Sequence, residues 1–269
     1  MLHKIAARVE TYPVRMGMSA AVDKRTFCSV RAEEPFDTAC GIMVFIMLNY
    51  VERLCAGSID GKAFVTYTEE NYATGSGILK SLPFGSRVRL EDAVELMIAA
   101  SDHVAANLMI DALGLDRINE TIKRHGFERT TLHKKFLIPK VRNMGTSTPS
   151  EYTEFFSRLS KGELLSVEAS RYMTDILRKQ KYKDILTGGL ADRSEFTDVA
   201  SKSGKADGKI FGGNGFLVDG GIIYTTQGTY AVSMFAEIEH DSAISLNEVK
   251  SFMQEVSAAV FDAFVSDER

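Results

Sequence analysis

Three cysteines, Cys28, Cys40 and Cys55, and five histidines are the side chains of this 269-residue chain best suited to nucleophilic or metal chemistry. A free thiol ionises near pH 8.5, and a neighbouring imidazole or the N-terminus of a helix turns it into a usable nucleophile. The cysteine spacing matches no CxxC-type motif and the number is odd, so neither a zinc ribbon nor a disulfide framework is expected. Cys28 and Cys55, on a predicted strand and at a predicted helix end, read as structural thiols. His3, His125, His133 and His240 lie in terminal, turn or helix-end contexts without metal-ligand spacing, and no metal is predicted. The fifth, His103, closes Ser101-Asp102-His103 at a break between helical stretches, and Lys202-Ser203-Gly204 heads a late strand.

The elements around these residues follow from periodicity. From Cys40 to Ala56 the positions Ile42, Met43, Phe45, Ile46, Leu48, Tyr50, Val51 and Leu54 cover most of a helical surface, with Gly57 as a stop. This predicts a buried central helix that opens at Cys40. Ahead of it, Met18 to Val22 and Thr26 to Val30 predict a hairpin. Beyond it, a Gly/Ser loop at Thr74 to Gly77 leads into helical stretches from Leu90 to Ala100, Val104 to Leu113, Asp116 to His125 and Pro149 to Ser160. After Leu190 the pattern changes to strands, Asp198 to Ser203, Gly215 to Tyr224 and Tyr230 to Glu237, before a last helix from Ser245 to Val265. This order predicts an α/β (α+β) fold. Residues 1–39 and 190–269 would make an antiparallel sheet flanked by terminal helices, residues 40–189 an inserted all-α domain, with a small-molecule cleft between them.

With 45% hydrophobic and 25% charged residues, and 32 Lys+Arg against 36 Asp+Glu, the composition is that of a globular protein with a net charge of −4. No long basic block accompanies that charge, so neither nucleic acid nor an anionic membrane is an expected partner. The short run Lys179-Gln180-Lys181-Tyr182-Lys183 reads as a solvated face. The first residues lack the apolar centre of a secretory signal, and no run approaches the roughly 18 apolar residues of a membrane span, so a cytoplasmic location is expected.

Longer motifs identify a family. Gly75-Ser76-Gly77-Ile78-Leu79-Lys80, the stretch from Leu90 through Ser101-Asp102-His103 to Ile110, Gly162-Glu163-Leu164-Leu165-Ser166 and Lys202-Ser203-Gly204 together resemble the class A β-lactamases and their serine-hydrolase relatives. The resemblance runs from about residue 18 to the end and implies a β-lactamase-like fold. That family carries S-x-x-K, S-D-N and K-T-G. Here the first motif reads Cys40-Gly41-Ile42-Met43 and the second Ser101-Asp102-His103, while the third stays close to pattern. Serine has become cysteine, lysine methionine, and asparagine histidine.

The resemblance implies that His103 lies near Cys40, where a cationic imidazole would supply the charge and proton transfer of the lost lysine. Cys40, His103 and Ser101 are then the catalytic candidates, Ser101 relaying a proton to the leaving group. Backbone N–H groups of Cys40 and Lys205 form the implied oxyanion hole, and Lys202, Ser203 and Gly204 the substrate-binding strand. Asp102 reads as structural. No cofactor is implied. The family's loop glutamate, which activates the deacylating water, has no acidic counterpart between Phe136 and Gly145. The expectation is therefore an acyl enzyme with a cysteine nucleophile, taking a small-molecule acyl donor and passing the acyl group to an amine acceptor or slowly to water. Two alternatives stand beside it: a catalytically silent ligand-binding protein, with Cys40 an inert buried thiol, Met43 filler and His103 bonded only to its loop, and a Cys/His hydrolase proper.

Overall fold

Met16, Met18 and Ala20 alternate along the first strand with Gly17, Ser19 and Ala21, so both faces carry small or apolar side chains and both are buried. That pattern belongs to a strand covered on its two sides. In the computed structural model, which describes residues 1–136 and 143–266, the strands are β1 Arg15–Val22, β2 Arg25–Val30, β3 Phe36–Asp37, β4 Phe64–Thr66, β5 Arg87–Arg89, β6 Thr131–Leu132, β7 Gly145–Ser147, β8 Phe196–Ala206, β9 Gly215–Thr225 and β10 Gly228–Ile238. The helices are α1 Leu2–Thr11, α2 Met43–Cys55, α3 Leu90–Ala99, α4 His103–Leu113, α5 Leu115–Arg124, α6 Pro149–Ser160, α7 Val167–Arg178, α8 Gly208–Phe211 and α9 Leu246–Val265. None of the described helices is long and apolar enough to cross a membrane.

Five strands form one antiparallel sheet in the order β2-β1-β10-β9-β8, so β8 is an edge. One face is covered by α1 and α9, whose Ile5, Val9, Val256 and Phe261 join Met16, Val232 and Met234 in a core. Against the other face lie α6 and the turn that leads into α2. Met43 through Val51 of α2 are all buried, as a helix surrounded by α3, α4, α5 and α7 must be. Fully burying each large apolar side chain of this kind contributes about 1.5–3 kcal/mol.

Several elements differ from the sequence expectation. The helix predicted to open at Cys40 starts instead as a 3-10 turn, Ala39–Ile42, and becomes α-helical only at Met43. The cause is local: Ala39 has a left-handed φ of +44°, and the Gly41 N–H closes back on the Thr38 carbonyl at 2.7 Å. α1 and α7 are further amphipathic helices, which bury Ile5 and Val9 and Met173 and Leu177 respectively. The segment 137–142, within the loop expected to lack an acidic residue, lies outside the described residues.

Candidate active site

Cys40 Sγ lies 3.2 Å from His103 Nε2, and both side chains are buried. Each residue comes from the start of a helical element. Cys40 sits in the turn before α2, while His103 is the first residue of α4, whose N-cap Asp102 accepts the Ala105 N–H at 2.9 Å. The second Asp102 oxygen accepts the N–H groups of Ile78 and Leu79 at 2.6 and 2.9 Å. One carboxylate thereby caps the helix that begins with His103 and pins the loop that lies on it. Gly75 of that loop is so close to the ring that a Cβ there would stand 1.9 Å from His103 Nδ1. Lys80 clamps the same loop by donating to the Thr74 and Gly75 carbonyls.

The third side is β8. Lys202 is fully buried, and its ammonium donates to Ser101 Oγ and to the Ser203 carbonyl, each at 2.6 Å. Lys202, expected at a substrate, is thus hydrogen-bonded directly to Ser101. Ser203, Gly204 and Lys205 line a cavity of about 340 Å³ with Cys40, Ser76 and Ser101. The Lys205 backbone N–H is directed at the Cys40 sulfur and favours its ionised form. β8 comes this close because residue 204 is glycine: a Cβ would meet the Thr38 carbonyl oxygen at 2.5 Å and the Cys40 and Gly41 amide nitrogens at 2.8 Å. Ser101 itself has a left-handed φ of +49°, and such non-glycine residues persist only where the surroundings hold them.

The electrostatics correct one expectation. His103 is not the cation of the site. Burial first, then the nearby Lys202 ammonium, push its pKa down to about 4, and Asp102 only partly opposes them. Burial likewise raises the Cys40 thiol above its ordinary value, although Lys202 and the Lys205 N–H pull the other way. At neutral pH the resting pair is therefore a thiol facing a neutral imidazole. Positive charge comes from Lys202, whose own pKa burial lowers to about 8. Met43, where the family pattern has lysine, is buried in the core beneath.

A model of the beta-lactamase enzyme family matches residues 2–264. The chain belongs to that family. Among solved structures it is similar to a beta-lactamase from Sphaerobacter thermophilus DSM 20745, at 25% identity over 97% of this chain and 95% of that one, with a TM-score of 0.85. It also superposes on PBP-A, at 22% identity, 98% and 96% coverage and a TM-score of 0.86. A reconstructed ancestral class A β-lactamase gives 20% identity, 97% and 99% coverage and a TM-score of 0.83. No curated protein matches. The β-lactamase-like α/β fold expected from the motifs is the fold observed.

Within this fold the structure adds a residue that the sequence reading placed on a solvated face. Lys179 and Lys181 are exposed, but Gln180 turns inward and is only 2% exposed. Its Nε2 donates to Ser201 Oγ at 2.9 Å, and its Oε1 accepts the Ser203 N–H at 2.8 Å. As β8 is an edge strand, Gln180 supplies the partner that a sixth strand would otherwise give. Tyr182 and Asp184, further along the same segment, line the cavity. Gln180→Ala is expected to lower the unfolding free energy by about 1–3 kcal/mol, the cost of leaving buried polar groups unpaired, as read from urea unfolding. The only sequence signal was an amide within a run of lysines. Among the described residues no group of three His, Cys, Asp or Glu side chains is arranged to hold a metal ion. Cys55, expected to be a structural thiol, is exposed at the end of α2, whereas Cys28 is buried.

Proposed function

We propose that this β-lactamase-family protein is an acyl enzyme with Cys40 as its nucleophile. The observation that carries the reading is the 3.2 Å separation of Cys40 Sγ and His103 Nε2 beside a cavity lined by Ser101 and β8. His103 takes the thiol proton as the sulfur attacks the carbonyl carbon of an ester, thioester, lactam or amide. The S–C bond forms, and the carbonyl oxygen draws its negative charge into the Cys40 and Lys205 backbone N–H groups. Collapse breaks the bond to the leaving group, which takes up a proton through Ser101, restored from the His103 imidazolium. The acyl thioester then passes to an amine, whose proton His103 accepts, or to water, and the Cys40 thiol is regenerated. A neutral imidazole suits both half-reactions, because each begins with a proton to be taken.

Intact and peptide mass spectrometry after mixing with p-nitrophenyl acetate, a thioester and a β-lactam tests this reading. An acyl adduct is expected on Cys40, absent in Cys40→Ala, and discharged faster by an added primary amine than by buffer alone. Discharge by buffer alone at the same rate would make the protein a hydrolase. No adduct from any donor class would leave a ligand-binding protein. The other thiols are internal standards. Iodoacetamide is expected to label exposed Cys55 readily and to spare Cys28, which burial pushes up to about 11.

A further inference from the structure

Ala39 immediately precedes Cys40 and holds a φ of +44°. A residue with a Cβ adopts this left-handed conformation only where something fixes it. Asp37 does so. Its Oδ1 accepts the Ala39 N–H at 2.7 Å, and its Oδ2 accepts the Asn143 N–H at 2.8 Å. Asn143 is left-handed too, at φ +56°. One carboxylate thus joins two left-handed residues, one before Cys40 and one on the approach to β7. The carboxylate is held in turn: Asp37 ends β3 and pairs with Thr146 of β7, and both the N–H and the hydroxyl of Thr38 donate to the Gly145 carbonyl at 3.0 and 2.9 Å. No family motif named above includes Asp37.

We propose that Asp37 is a positioning residue: by clamping the Ala39 amide it fixes the left-handed turn that aims the Cys40 sulfur at His103 and the Lys205 N–H. This rests on the reading of Cys40 as the nucleophile. Charge and position make opposite demands here. The Asp37 charge disfavours a thiolate at Cys40, so on charge alone its removal would make the sulfur more reactive. Removal of the clamp has the other sign, since small misplacements of reacting groups cost large factors in rate. His133 and Glu237, the other titratable groups that bear on Asp37, act on it in opposite directions and remain in place.

The experiment is the rate of Cys40 alkylation by iodoacetamide in wild type, His103→Ala, Asp37→Ala and Asp37→Ala/Ala39→Gly, with Asp37→Asn as a milder variant should the alanine protein fail to fold. Backbone amide shifts of Ala39 and Cys40 are followed by NMR. Asp37→Ala is expected to slow alkylation about tenfold or more. Ala39→Gly should recover part of that loss, because glycine takes a positive φ without a clamp. An unchanged or faster rate in Asp37→Ala, against a His103-dependent wild type, would overturn the clamp alone. A wild-type rate indifferent to His103 would instead overturn the Cys40 reading. In that case the amide shifts decide, and if they do not move when Asp37 is replaced, no clamp exists.

Discussion

His103→Ala is expected to slow acylation of Cys40 by about a hundredfold to ten-thousandfold, the range removed with a positioned general base. The form of the loss matters more than its size. Because burial and Lys202 push the His103 pKa down to about 4, the imidazole stays neutral through the acidic range and can accept the thiol proton. Wild-type acylation should therefore hold a plateau from about pH 5 to neutrality and fall only as pH drops through about 4. Without the imidazole, attack must wait for a thiolate whose formation burial opposes. The rate of the variant should then climb about tenfold per pH unit across neutrality. Stopped-flow release of p-nitrophenol at several pH values separates the two profiles, and a wild-type midpoint near 6.5 would sink the assignment of a neutral base.

The same shift has a consequence for stability. An unfolded histidine titrates near pH 6.5, and His103 in the folded chain at about 4. Between those values the unfolded chain binds a proton that the folded chain does not, so stability falls as pH drops through this window and levels off below it. The group accounts for up to about 3 kcal/mol of that fall. Urea titrations of wild type and His103→Ala from pH 7 to 4 should differ by this slope.

Gly204→Ala is the second large effect. Its Cβ would stand 2.5 Å from the Thr38 carbonyl oxygen and 2.8 Å from two amide nitrogens of the Cys40 turn. These are backbone atoms tied down by the Gly41 N–H to Thr38 carbonyl bond, at 2.7 Å, and by the Thr38 hydroxyl to Gly145 carbonyl bond, at 2.9 Å. They cannot rotate aside as a side chain would, so β8 must withdraw. Withdrawal takes the Lys205 N–H away from the sulfur, and loss of one such donor lowers acylation about a hundredfold to a thousandfold. The displaced strand should lower stability by about 1–3 kcal/mol as well. Burst kinetics beside a thermal melt checks both, and a folded variant that acylates at the wild-type rate would remove Lys205 from the mechanism.

Much of the candidate site was legible because its residues lie in or beside elements whose local pattern is strong. Cys40 lies in the turn just ahead of an apolar helix, His103 follows the N-cap Asp102, and Lys202 lies on a β-prone run between glycine turns. The protonation state of His103 was not legible. It depends on burial and on Lys202, which is 99 residues away in sequence and reaches the site only through the sheet. Gln180 was misread for a related reason, since lysines on both sides hide a side chain that turns toward an edge strand. Asp37 gave no signal, because its task is set by a backbone angle two residues later.

The strand order of the main sheet also dictates a timetable. β1 is made early but lies between β2 and β10, and β10 is the last strand made. As the chain leaves the ribosome, Cys40 and His103 emerge long before β8 and its Lys205 amide, while β1 still lacks one neighbour. Domains with such distant pairings close late and expose their unpaired edges meanwhile. The nascent protein thus carries its sulfur and imidazole through most of its synthesis without the strand that would complete their pocket.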